Sequence, residues 1–264
     1  MTDRRVVLVT GASRGIGAAT AVQLAHRGCD LVLVARSADG LERTAAAARD
    51  AGATVETIAV DVAEPGAAVR VLERVRSRFG RLDALVNNAS VLDPIAPLAE
   101  VAEDELHATL AIDVLAPHAL TRAALPLLRA GRGRILNVSS SAAHLPMQGL
   151  GAYCIAKAAL AMFSRVLAAE EPDVTVLLVQ PGPVDTGMHV SLREEGHGIT
   201  EDRRAYYRSL LEEGELLRPE VAGARFAWLA LEAPTAWDGQ DIAHDDPAVP
   251  VVPLGTAADD GERS

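Results

Sequence analysis

Short runs of β-branched and apolar residues alternate along this chain with alanine-rich stretches of helical period. That is the pattern of strand–helix–strand units around a parallel sheet. The runs predict strands at about 5–10 (RVVLVT), 30–36, 54–60, 82–87, 133–139 and 174–180. Several are apolar at consecutive rather than alternate positions, as strands covered on both faces require. Helices are predicted at about 15–27, 39–51, 65–79, 103–130, 151–170 and 219–232. Pro117 and Pro126 predict a kink or break in the fourth of these. The fold class is therefore α/β, a single-domain doubly wound parallel sheet flanked by helices on both faces.

The alternation fails in two places. The segment 187–217 is too long for a simple connection and is a candidate lid. It holds Met188, Tyr206 and Tyr207, the two tyrosines being two of only three in the chain. They are candidate substrate contacts, with packing of the lid onto the body as the alternative. No shift in composition occurs before residue 247, so 1–246 reads as one domain and 247–264 as an extended or frayed tail.

Composition narrows the partners. The 264 residues carry 25 basic and 36 acidic side chains, a net charge of −11. This disfavours nucleic acid or an anionic membrane, both of which need a basic face. Consecutive apolar runs stop far short of a membrane span, and no signal-peptide pattern opens the chain. The two cysteines, Cys29 and Cys154, make no disulfide framework, and no histidine spacing suits a metal. A cytoplasmic protein with a small-molecule partner is the expectation. Of the 25 basic residues only one is a lysine, Lys157, leaving 24 arginines.

The first predicted strand ends in Thr10-Gly11-Ala12-Ser13-Arg14-Gly15-Ile16-Gly17 and runs straight into a helix. Glycines allow a tight turn and close approach of backbone to a pyrophosphate, and the helix N-terminus offers unpaired N–H groups. At the end of the second strand a 2′-hydroxyl would call for an acid. Here Ala35-Arg36-Ser37 stands instead, and Arg36 with Arg14 could grip a 2′-phosphate. The cofactor expected is NADP(H); the alternative for Arg36 is a solvated strand end.

Tyr153 and Lys157 lie four apart on one face of the fifth helix. A nearby ammonium favours the phenolate and is expected to pull a tyrosine down toward a useful acid–base range. Ser140, just past the fifth strand, faces the crevice at the carboxyl edge of the sheet, where its hydroxyl could hold a carbonyl oxygen.

Together with Asn87-Asn88-Ala89, Ser139-Ser140 and Pro181-Gly182-Pro183-Val184-Asp185-Thr186, these motifs resemble the short-chain dehydrogenase/reductase family over about residues 5–245. The resemblance implies a Rossmann-like fold, with Tyr153 the catalytic acid–base and Lys157 also binding the nicotinamide ribose. It further implies that Ser140 positions the carbonyl, that Asp61 and Val62 flank the adenine, and that Val184 and Thr186 hold the carboxamide. Gly11, Ser13, Arg14, Gly15, Ile16, Gly17, Arg36, Ser37, Asn88, Ala89, Pro181 and Gly182 complete the implied cofactor site. Family members pair their fourth and fifth helices, which implies a homodimer or homotetramer.

Three departures stand out. Ser90 replaces the glycine usual after Asn-Asn-Ala, which is tolerable if the backbone there is not left-handed. Asp113 replaces the usual catalytic-relay asparagine and is kept as a candidate site residue, with a buried acid paired to Lys157 or to the backbone as the alternative. The ending Asp238-Gly239-Gln240-Asp241-Ile242 is similar to the sepiapterin and benzil reductase subgroup, where Asp245 or Asp246 would anchor a pterin.

The function implied is NADPH-dependent reduction of a ketone or dicarbonyl, with Tyr153 as proton donor. A 3-oxoacyl- or polyketide-type reductase, or an alcohol dehydrogenase in the reverse direction, stays open. So does a non-catalytic NADP(H)-binding sensor.

Overall fold

Successive residues of a strand point to opposite faces, and here both faces are apolar. In β1 (Val6–Thr10), Val7 and Val9 join one buried cluster, while Val6 and Leu8 join the other. The same division holds in β2 (Asp30–Ala35), where Leu31 and Leu33 oppose Val32 and Val34. The remaining strands are β3 (Val55–Ala59), β4 (Ala84–Asn87), β5 (Arg134–Val138), β6 (Thr175–Val179) and a two-residue β7 (Asp241–Ile242). This computed structural model describes residues 4–255.

All seven strands pair in parallel, in the order β3-β2-β1-β4-β5-β6-β7. One face is covered by α1 (Gly15–His26), α2 (Ala38–Asp50) and α9 (Pro219–Glu232). The other is covered by α3 (Ala67–Arg78), α5 (Ala116–Gly131) and α6 (Gly151–Glu170). The expected doubly wound sheet is thus the one observed. The six strands read from the alternation are present, each within two residues of its predicted ends. The seventh is too short to register in that pattern.

The fourth helix departs from expectation. It divides into α4 (Glu103–Leu110), a π-turn over Ala111–Leu115, and α5. Pro126 lies inside an unbroken α5 and causes no break, and Pro117 falls in its first turn. The irregularity sits upstream of Pro117 because proline has no N–H to close the bond to the Asp113 carbonyl four residues earlier. Asp113 is thereby placed in the π-turn, next to α6.

The candidate lid folds into α7 (Gly187–Glu194) and α8 (Glu201–Glu212), which pack on each other. The tail is extended but not frayed as far as it is described: Val249 is buried in the core, and the Gly255 N–H donates to Gln23 Oε1 at 2.8 Å. Residues 256–264 of that predicted tail lie outside the described residues. Two helical stretches, Glu103–Gly131 and Gly151–Glu170, are long and apolar enough to cross a membrane by length and composition alone. Both lie against the sheet instead.

Candidate active site

The strand order reverses between β1 and β4, and a doubly wound sheet opens its crevice at the carboxyl ends of such a pair. Here Thr10 binds the two strand ends together. Its hydroxyl accepts from Asn88 N–H at 2.9 Å and Ala89 N–H at 3.0 Å, and Asn88 Nδ2 donates back to the Thr10 carbonyl at 2.9 Å. A cavity of about 760 Å³ opens above them. Gly11 (φ +65°) and Gly17 are required there, since a Cβ on either would lie 2.7 or 2.4 Å from Asn88 Nδ2.

One end of the cavity suits a phosphorylated adenosine. Arg14 caps α1 with backbone only, so no side chain competes for the first amides of that helix. Arg14, Arg36 and Arg43 all line this end, with Ser13, Ser37, Asp61 and Val62. Arg36 is exposed and stands 3.9 Å from Asp61, whose Oδ1 accepts from Ala63 N–H at 2.9 Å. The glycine cradle and the free helix N-terminus fit a dinucleotide, and three guanidiniums stand beside them.

The other end holds the chemistry. Lys157 is fully buried, donating to the Val138 carbonyl at 3.0 Å and pairing with Asp113 Oδ1 at 2.9 Å. Its ammonium lies 5.3 Å from the centre of the Tyr153 ring. Ser140, in extended backbone at φ −163°, accepts at its hydroxyl from Ala142 N–H at 3.2 Å; it lies near enough to favour the Tyr153 phenolate, although Ser139 and not Ser140 lines the cavity. Burial drives Tyr153 above the usual tyrosine range; Lys157 and Ser140 oppose this, while Asp113 reinforces it. The expected lowering of Tyr153 is therefore reversed: loss of solvation outweighs the ammonium, and the phenol is held neutral. Burial also works to lower Lys157, but attraction to the Asp113 carboxylate and the hydrogen bond to it prevail and the ammonium stays charged.

The sequence pattern of the short chain dehydrogenases matches residues 5–197. An uncharacterised oxidoreductase of Schizosaccharomyces pombe is 34% identical over 244 residues, 91% of this chain and 96% of the relative. The crystal structure of the KRED1-Pglu enzyme superposes with a TM-score of 0.85 at 36% identity, covering 90% of this chain and 99% of that one. That of L-sorbose reductase from Gluconobacter frateurii, complexed with NADPH and L-sorbose, gives 0.82 at 32% identity, covering 92% and 95%. The chain belongs to the short-chain dehydrogenase/reductase family. It is an NAD(P)-dependent oxidoreductase acting on CH–OH or C=O groups.

In this dehydrogenase/reductase most residues assigned to the cofactor from sequence line the cavity: Gly11, Ser13, Arg14, Gly15, Ile16, Arg36, Ser37, Asp61, Val62, Asn88, Ala89, Tyr153, Lys157, Pro181 and Thr186. Gly17, Gly182 and Val184 sit behind it. Gly182 (φ +74°) lies under the His244 ring, and Val184 is buried where it bridges to Leu217. Of the proposed substrate contacts, Met188 lines the cavity, and Tyr207 is buried in an apolar cluster that contains Tyr153. Tyr206 lies outside the cavity lining, half exposed against Arg203. Ser90 does not require a left-handed backbone, since Arg132 is the only non-glycine residue at positive φ among those described. Arg43 was not anticipated. It lies on α2, whose N-cap Ser37 accepts from Gly40 N–H at 3.1 Å, so that Ser37, Gly40 and Arg43 together line the cavity.

Proposed function

We propose that this protein is an NADPH-dependent carbonyl reductase that converts a ketone or dicarbonyl to the alcohol. The observation that carries the reading is a buried Tyr153 at the cavity wall, with the Lys157 ammonium 5.3 Å from its ring centre. A bound nicotinamide supplies the hydride. Ser140 and Tyr153 hold the carbonyl oxygen between two donors, and Tyr153 passes its proton to that oxygen as charge develops there. Lys157 would bind ribose hydroxyls, its ammonium lying 5.3 Å from the centre of the Tyr153 ring. Preference for the 2′-phosphorylated cofactor is supported by Arg14, Arg36 and Arg43 at one end of the cavity, and by the NADPH complex of L-sorbose reductase.

Around Tyr153 the cluster of Leu92, Ile95, Leu150, Ile199, Tyr207 and Leu210 is apolar, which favours substrates with an apolar flank beside the carbonyl. Two copies would associate through the outer faces of α5 and α6, where Leu115, Ile155, Met162 and Val166 are exposed.

The test follows NADPH absorbance with a panel of ketones, diketones, quinones and sepiapterin. Turnover is expected on at least one class, and Tyr153→Phe should lose roughly 10²–10⁴-fold in kcat while still binding NADPH. Full activity in Tyr153→Phe would sink the mechanism. Tight NADPH binding with no turnover on any carbonyl would favour a non-catalytic sensor.

A further inference from the structure

Two residues set this chain apart from its family's usual pattern, Ser90 and Asp113, and the fold brings them into direct contact. The Ser90 hydroxyl donates a short hydrogen bond to Asp113 Oδ1, and Val91 N–H donates to Oδ2 at 3.1 Å. The same Oδ1 receives the Lys157 ammonium at 2.9 Å, and both side chains of that ion pair are almost fully buried. Every oxygen of the carboxylate thus has a donor, as a buried charge requires. The π-turn over Ala111–Leu115 puts Asp113 there, and the loop after β4 supplies Ser90 and Val91.

We infer that Asp113 is a positioning residue, clamped by Ser90, that offsets the charge of Lys157 and so keeps Tyr153 in its proton-donating form to higher pH. The groups that act on the phenol are Lys157 and Cys154 on α6, Asp113 from the π-turn and Ser140 after β5; Tyr207 of α8 shares its apolar cluster. With a charged carboxylate, a charged ammonium and a neutral phenol, the buried cluster carries no net charge. Without the carboxylate it would carry one positive charge in a low-dielectric site, which ionisation of the phenol would relieve. The consequence is directional. Reduction consumes the neutral phenol, and oxidation needs the phenolate. Asp113 therefore displaces to higher pH both the alkaline limb of reduction and the acid limb of oxidation.

This rests on Tyr153 as proton donor, so the first readout needs no substrate. Tyrosinate absorbance of the whole protein, less that of its Tyr153→Phe counterpart, isolates Tyr153 from the other two tyrosines. In Asp113→Asn roughly tenfold more Tyr153 phenolate is expected at a fixed alkaline pH. In Ser90→Ala the carboxylate loses a donor, keeps more of its negative potential, and the phenolate fraction should fall. Because Lys157 is the only lysine, lysine-selective isotope labelling gives a single NMR signal. That signal should lose its proton at lower pH in Asp113→Asn. With an active substrate in hand, the alkaline limb of reduction should move to lower pH in Asp113→Asn. If both variants titrate as the wild type does, the inference is overturned, even where kcat falls uniformly; if Asp113→Asn does not fold, Ser90→Ala decides alone.

Discussion

Lysine and arginine are not interchangeable where a compact ammonium must fit beneath a phenol. A chain that uses arginine at 24 of its 25 basic positions keeps its one lysine at 157, buried between Val138, Asp113 and Tyr153. At the adenosine end the opposite choice serves, because planar guanidiniums pair well with phosphate oxygens. Arg43 is the residue there that sequence reasoning did not reach. Its exposure limits what one contact can contribute, so Arg43→Ala should raise KM for NADPH roughly five- to tenfold. KM for NADH and kcat should stay unchanged. Steady-state kinetics with both cofactors checks this, and an equal effect on NADH would remove Arg43 from phosphate recognition.

At the level of elements, the site depends on how closely backbones approach. α1 presents its N-terminus to the cavity only because α9 fixes it from behind. Gly223 makes that contact: a Cβ there would lie 2.6 Å from the Ala19 carbonyl carbon and 2.7 Å from Thr20 N. Both are backbone atoms and cannot swing away. Gly223→Ala should therefore cost about 1–3 kcal/mol by overpacking. For a domain of this size that lowers Tm by roughly 2–12 °C, measurable by calorimetry, despite the better helix propensity of alanine. An unchanged Tm would mean that the two helices can separate freely. The π-turn belongs to this scale too. Its cause, a proline without an N–H, is written in the sequence, but its position four residues upstream, and its bearing on Asp113, appear only in the fold.

For the whole molecule, the outer surface of α6 is the unusual feature. Ile155, Met162 and Val166 recur at helical spacing on its solvent side, and Leu115 is exposed where α5 begins. The His118 and Phe163 rings meet edge to face across the two helices at 5.9 Å. Single exposed apolar residues are common, but a stripe of them along one helix supports the proposed pairing of two copies there. Light scattering should give a mass above that of one chain for the wild type. Met162→Asp should shift it toward the monomer while leaving the cavity intact. A monomeric wild type at micromolar concentration would refute the pairing.

The sheet was legible because several of its strands, β1, β2 and β6 among them, are apolar on consecutive positions, as parallel strands covered on both faces require, and because helical stretches alternate with them. The glycine turn, Ser140, Tyr153 and Lys157 were legible because their spacing follows from local geometry: a strand–turn–helix, a strand end, one face of a helix. What local spacing does not encode is which side chains from distant segments share a buried volume. Tyr206 and Tyr207 are adjacent in sequence, yet one lies half exposed and the other is buried in the apolar cluster that contains Tyr153. Ser90 and Asp113 are separate departures in the sequence and one hydrogen-bonded unit in the structure. The direction in which Tyr153 is displaced depends on burial, and burial is set by every element around it. The sequence alone determined the sheet, the glycine turn at its crevice and the helix face that Tyr153 and Lys157 share. Tertiary packing alone decided the charge balance among them, because desolvation and pairing act across space and not along the chain.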